Sequence, residues 1–163
     1  MNINQTVQDA INEQINKEFY SAYLYLAMSA YFETKGYSGF ASWTRKQAEE
    51  ETEHAMKLYD FINERAGKVT LKVIDKPTQE FGTPLQTFEE ILKHEQKVTS
   101  SINSLYEVAL EQKDYATQVM LHWFIEEQVE EEANAGQMVD KLKYAGDSIG
   151  AILQLDREAG SRD

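Results

Sequence analysis

The stretch that most constrains this chain is "GKVTLKVIDKPTQEFGTP", an 18-residue connector at positions 67–84. On either side of it, apolar residues recur at the helical period in segments near 5–34, 39–66, 85–112 and 115–144. A shorter periodic segment follows near 147–158. The first two segments are joined tightly, and so are the third and fourth, so each pair is expected to form an antiparallel hairpin. Fully extended, the connector reaches about 60 Å at about 3.3 Å per residue. The helices it joins are about 40 Å long at 1.5 Å per residue. It can therefore run back along the whole bundle and leave the second and third helices parallel. The expected fold is all-α: a four-helix bundle with one long crossover and a short fifth C-terminal helix.

The helix ends carry their own signals. Gly36 and Gly39 punctuate the first turn, and Gly67 is expected to stop the second helix. Thr83, Pro84 and Gln86 combine a capping box with a proline at the first helical position. Asp114 is expected to cap the fourth helix and Gly146 to end it.

At 163 residues the chain is expected to be one domain with a substantial core. Its formal net charge of −12 argues against nucleic acid and anionic membranes and suits a protein that attracts cations. No apolar run approaches the roughly 18 residues of a membrane span, and "MNINQTVQDA" does not read as a signal peptide. Without cysteine there is neither disulfide nor thiolate metal site. A cytoplasmic location is the expectation.

The core stripes contain residues that do not belong in a core. The first helix reads Val7, Ile11, Glu18, Ala22, Tyr25, Phe32; the second reads Ala48, Glu51, Ala55, Leu58, Ile62, with His54 one turn from Glu51. The third reads Phe88, Ile91, Glu95, Val98, Ile102, Leu105; the fourth reads Leu121, Phe124, Gln128, Glu131, Ala135, Met138, Leu142. Counted from the first turn near Tyr37, Glu18 lies 19 residues before, and Glu51 and His54 lie 14 and 17 after. Glu95 and Glu131 each lie about 18 residues from the second turn. Antiparallel hairpins would bring four carboxylates, an imidazole and an amide to one level.

Burying several carboxylates together is prohibitive unless a positive charge sits among them. Oxygen ligands with one imidazole suit a divalent first-row metal, and iron fits best. Charge runs are usually solvated faces, and Glu49, Glu53 and Glu132 are read that way. For the residues on the stripes that reading fails, because four helices would have to break pattern at one depth independently.

The segments "NKEFYSAYLY", "EEETEHAMKLYDF", "KHEQKVT" and "LHWFIEEQVEEE" resemble a non-haem ferritin of the bacterial and archaeal type, in order and spacing over nearly the whole chain. The resemblance implies one iron position at Glu18, Glu51 and His54. It implies a second at Glu51, Glu95 and Glu131, with Gln128 close by. A third maps onto Glu50, Glu127, Glu130 and Glu131. Tyr25 matches the family tyrosine beside the centre, and Trp123 a neighbouring aromatic. Implied further are ferroxidase activity with dioxygen or peroxide as oxidant, iron storage as a ferric mineral, and a homo-oligomeric shell of 24 subunits. The alternative is a di-iron peroxidase or oxidase of the rubrerythrin or bacterioferritin type. Against these, Gln128-x-x-Glu131 lacks the second histidine of a bacterioferritin. Thr52 stands where its haem methionine would fall, so no haem is expected, and Met56 is read as core. Rubrerythrins usually add a cysteine-ligated iron domain, and this chain has no cysteine. His94 and His122 are expected to serve packing. Tyr23, Leu26 and Tyr31 are read as an outer apolar face, "VTLKVI" as an extended segment against a partner subunit, and the last helix as a plug at a symmetry axis.

Overall fold

The computed structural model describes residues 1–161. Five helices follow one another: α1 (Gln5–Lys35), α2 (Ser38–Glu64), α3 (Pro84–Glu111), α4 (Tyr115–Ala145) and α5 (Ile149–Gly160). No strand occurs among the described residues. None of these helices is long and apolar enough to cross a membrane.

Local chemistry sets most helix ends. Asn4 accepts from Thr6 N–H at the start of α1, and Asp114 accepts from Thr117 N–H at the start of α4. At α3 the capping box is complete: Gln86 N–H donates to Thr83 Oγ1, and Gln86 Oε1 accepts from Thr83 N–H. Gly36 ends α1 at φ 80°, a left-handed conformation that costs glycine little. Two glycines act differently from expectation. The left-handed residue after α2 is Ala66, at φ 53°. Gly67 matters instead for space, since a Cβ there would lie 2.8 Å from Ile3, Gln8 and Ile62 side-chain atoms. Gly39 sits inside α2 rather than in the turn, pressed against α5, where a Cβ would meet Asp156 O at 1.7 Å. The Asp156 carboxylate accepts from Phe40 N–H at 2.8 Å, so α5 supplies the cap that Tyr37 does not provide.

The crossover follows α1 along its length. It begins beside the N-terminal half, where Lys68 O accepts from the Asn12 amide and Thr70 N–H donates back to Asn12 Oδ1. It ends beside the C-terminal half, where Tyr31 O–H donates to Gly82 O and packs edge-on against buried Phe81. Tyr31 is therefore buried rather than part of the outer face, whereas Tyr23 and Leu26 are each about half exposed. Leu71 and Val73 in the "VTLKVI" stretch are 66% and 84% exposed and have no strand partner among the described residues. Met56, read as core, is exposed, because its position on α2 faces away from α1 and α4.

Two apolar clusters fill the bundle. One surrounds Phe32, Phe40 and Phe88 near the α5 end, and the other surrounds Ile11, Leu58 and Leu121 at the opposite end. The polar layer described next lies between them.

Candidate metal centre

Helical spacing alone brings the first three groups inward. Glu51 and His54 are one turn apart on α2, and Glu18 faces them from α1. All three are at most 5% exposed. Each can offer a ligand atom within 4.8 Å of the other two, an arrangement that no other set of three acidic, histidine or cysteine side chains achieves among the described residues.

This layer is short of donors. Gln14 donates to Glu18 Oε1 at 2.7 Å, but Glu18 Oε2 and both Glu51 oxygens have no hydrogen-bond partner. Within the protein, the one remedy is a proton shared between Glu18 and Glu51. Burial, followed by the charge of Glu51, holds the Glu18 carboxyl well above the ordinary carboxylate range. Burial and the charge of Glu95 do the same to Glu51. A cation among these oxygens removes the deficit directly.

The second half of the layer comes from α3 and α4. Glu95 is fully buried; one oxygen accepts from Tyr25 O–H in a short hydrogen bond, and the other from the Gln128 amide at 3.1 Å. Burial raises its carboxyl, and these two donors pull the other way. Burial, then the Glu95 charge, keeps the Tyr25 phenol protonated well above its usual range. Gln47 donates to Glu131 Oε2 at 2.9 Å. Glu51 feels the charges of both Glu95 and Glu131, yet the three do not close into a three-ligand cluster as tight as the first.

The four residues expected at a third position are not drawn into such a cluster either. Glu50 and Glu127 are half-buried at the margin of the layer, Glu130 is exposed, and Glu131 alone is buried. Trp123 packs edge-on against His54 with ring centroids 5.2 Å apart, and Lys57 Nζ lies over the Trp123 ring, 4.2 Å from its centroid. Of the two remaining histidines, His94 bonds to Ser21 Oγ at 2.7 Å and His122 stacks on Tyr106. Thr52 is exposed and returns its hydroxyl to Ala48 O.

Three supporting residues escape the sequence reading: Gln14, Gln47 and Thr99. Gln14 and Gln47 are as buried as the carboxylates they bond, Glu18 and Glu131. The signal was present, since each stands one turn before a stripe carboxylate, Gln14 before Glu18 and Gln47 before Glu51. Thr99 accepts from the Gln128 amide at 3.3 Å and donates to Glu132 at 2.5 Å. It carried no comparable mark in a run of small polar residues.

A crossover four-helix bundle with carboxylates and one histidine turned into its middle is the ferritin-like class of helical bundle. The ferritin-like domain family matches residues 8–145. A bacterial non-haem ferritin of Bacteroides fragilis is 46% identical over 160 residues, covering 98% of this chain and 99% of the relative. One of Staphylococcus saprophyticus is 41% identical over the same share of this chain and 96% of its own. A solved open-pore ferritin from the archaeon Archaeoglobus fulgidus superposes with TM-score 0.98 at 46% identity, covering 99% of both chains. The chain belongs to the ferritin family, and these relatives place it beside non-haem ferritins.

Proposed function

We propose that the protein oxidises Fe(II) at the mid-bundle centre and stores the ferric product inside a homo-oligomeric shell. The observation that carries this reading is the trio Glu18, Glu51 and His54: dry, inward-facing and short of hydrogen-bond donors in the absence of a cation. The relatives' designation as non-haem ferritins supports it.

In this reading Fe(II) is the substrate. Glu18, Glu51 and His54 hold one ion, and Glu51 turns its second oxygen toward another held by Glu95, Glu131 and Gln128. Each ion gives up one electron. Dioxygen takes the two electrons with two protons to become hydrogen peroxide; peroxide as oxidant takes two electrons and two protons to become two waters. Tyr25 keeps a proton against Glu95 and orients that carboxylate. Gln14 and Gln47 orient Glu18 and Glu131. An all-carboxylate third position at Glu50, Glu127, Glu130 and Glu131 gives product iron a weaker resting place on its way to the mineral. The family relationship supports a shell of 24 subunits.

The test is aerobic loading with ferrous iron followed by size-exclusion chromatography. Iron far beyond three ions per subunit, in a very large particle, is the expected outcome. Iron that stops at about two per subunit in a small oligomer overturns storage and favours a di-iron enzyme.

A further inference from the structure

A cavity of about 380 Å³ opens between α3 and α4 and ends on the centre. Its walls include Thr99, Ile102, Asn103, Ile125 and Glu132, and Gln128 forms its inner end. A cation with six waters occupies about 200 Å³ at roughly 30 Å³ per water, so it fits. Glu132, read from sequence as part of a solvated face, is half-buried and turned into this space.

A continuous series of polar contacts runs inward from it. Thr99 donates to Glu132 Oε1 at 2.5 Å, the Gln128 amide donates to Thr99 Oγ1 at 3.3 Å, and the same amide donates to Glu95 Oε2 at 3.1 Å. Because Thr99 gives its proton to Glu132, its oxygen can only accept from Gln128. That fixes the amide group of Gln128 on the cavity side and against Glu95. The charge of Glu132 is also felt at Glu95, after burial, the Tyr25 and Gln128 hydrogen bonds and His54. Glu132 thus faces solvent at one end of the series and a candidate iron ligand stands at the other.

We infer that this α3–α4 cavity is an entry vestibule for ferrous iron, in which Glu132 captures the ion and Gln128 passes it to Glu95. The inference rests on the functional reading above, since a vestibule requires a centre to feed. Capture exchanges water for the Glu132 carboxylate without covalent or redox change. As the ion displaces the Thr99 hydroxyl from Glu132, the constraint on the Gln128 amide is released and its oxygen can turn toward the ion. Glu132 is a capturing residue and not a ligand of the centre, which distinguishes it from neighbouring Glu131.

The experiment uses the assembled protein and two variants, Glu132→Gln and Asn103→Trp. The first removes the charge at constant shape; the second fills the mouth from an exposed position on α3. Stopped-flow oxidation at iron below saturation should slow by about tenfold in Glu132→Gln, the lower range for losing a focused charge. Asn103→Trp should slow it as well, while the rate at saturating iron and the Co(II) bound per subunit at equilibrium match wild type in both. Wild-type rates in both variants overturn the vestibule and leave the functional reading standing. Loss of bound Co(II) in Glu132→Gln also overturns it, by making Glu132 a ligand of the centre. A wild-type protein that takes up no Co(II) overturns the functional reading itself, and the vestibule falls with it.

Discussion

Glu51 Oε2 and His54 Nδ1 stand 3.5 Å apart, one turn from each other on α2, and neither oxygen of Glu51 receives a hydrogen bond from the protein. Two apolar clusters flank this pair, so water cannot readily repair the deficit. The position lowers the stability of the metal-free chain, and in the proposed reading it gains by binding an iron ion. Stability and function pull against each other at this residue.

Replacing Glu51 therefore has two opposed outcomes. Glu51→Gln supplies an amide donor where Glu18 Oε2 has none and should stabilise the metal-free protein by about 1–3 kcal/mol, the usual cost of an unsatisfied buried polar group. It should also abolish rapid Fe(II) oxidation. The wild-type carboxyl is raised in the folded state, so its favourable contribution is complete below the ordinary carboxylate pKa and is lost as pH rises through its folded value. Thermal melts in chelator at several pH values should show that loss flattened in the variant. A variant that melts lower than wild type at neutral pH would refute this account.

The pair Arg65–Asp114 responds to pH in the opposite direction. Arg65, at the end of α2, donates to both Asp114 oxygens at 2.8 and 3.0 Å and to Thr117, and both charges are buried. Burial pushes the Asp114 carboxyl up, but Arg65 and the Thr117 N–H and O–H outweigh it and hold the pKa below its ordinary value. The stability it contributes is present above the unfolded carboxylate pKa and is lost as pH falls through the folded one. Asp114→Ala strands the guanidinium and should cost about 3–5 kcal/mol. Chemical denaturation of both proteins near neutral pH measures this; a difference under 1 kcal/mol would show that Arg65 finds water instead.

Tyr25→Phe isolates one hydrogen bond. The substitution keeps the packing and removes the donor to Glu95. Losing a bond to a charged group costs about 1.5–3 kcal/mol, so a bond that tightens as the iron is oxidised is worth about tenfold in rate. Oxidation should slow by about tenfold while Co(II) still fills the centre. An unchanged rate would leave Tyr25 as packing alone.

The sequence carried the bundle, its single crossover and the six inward polar residues, because each shows as a break in helical periodicity. What it concealed depends on three-dimensional neighbours. Gly67 looked like a stop by its type, yet it is needed for close approach to Gln8 and Ile62. Tyr31 looked like surface by its helical phase, until the crossover returned to cover it. Thr99 has no periodic signature at all. The close carboxylate–histidine trio was legible as spacing, whereas the looser grouping around Glu131 depends on how far α3 and α4 stand apart, which helical phase does not encode.

The contact between Gly39 and α5 separates the bundle from its last helix. A Cβ at position 39 would lie 1.7 Å from Asp156 O and 2.5 Å from its carbonyl carbon, backbone atoms with no rotamer to relieve the clash. Gly160 faces the same spot, 3.0 Å from Gly39 Cα once given a Cβ. Gly39→Ala must therefore displace α5, which also removes the Asp156 acceptor from Phe40 N–H. Overpacking of this kind costs about 1–3 kcal/mol. The Glu18, Glu51 and His54 trio is more than two turns of α2 away, so Co(II) binding should persist. The visible change should be faster protease cleavage at the α4–α5 junction near Gly146–Ser148, with the bundle itself intact. Cleavage at the wild-type rate would mean that α5 shifts as a rigid body and redocks, and that this close approach is not what holds it.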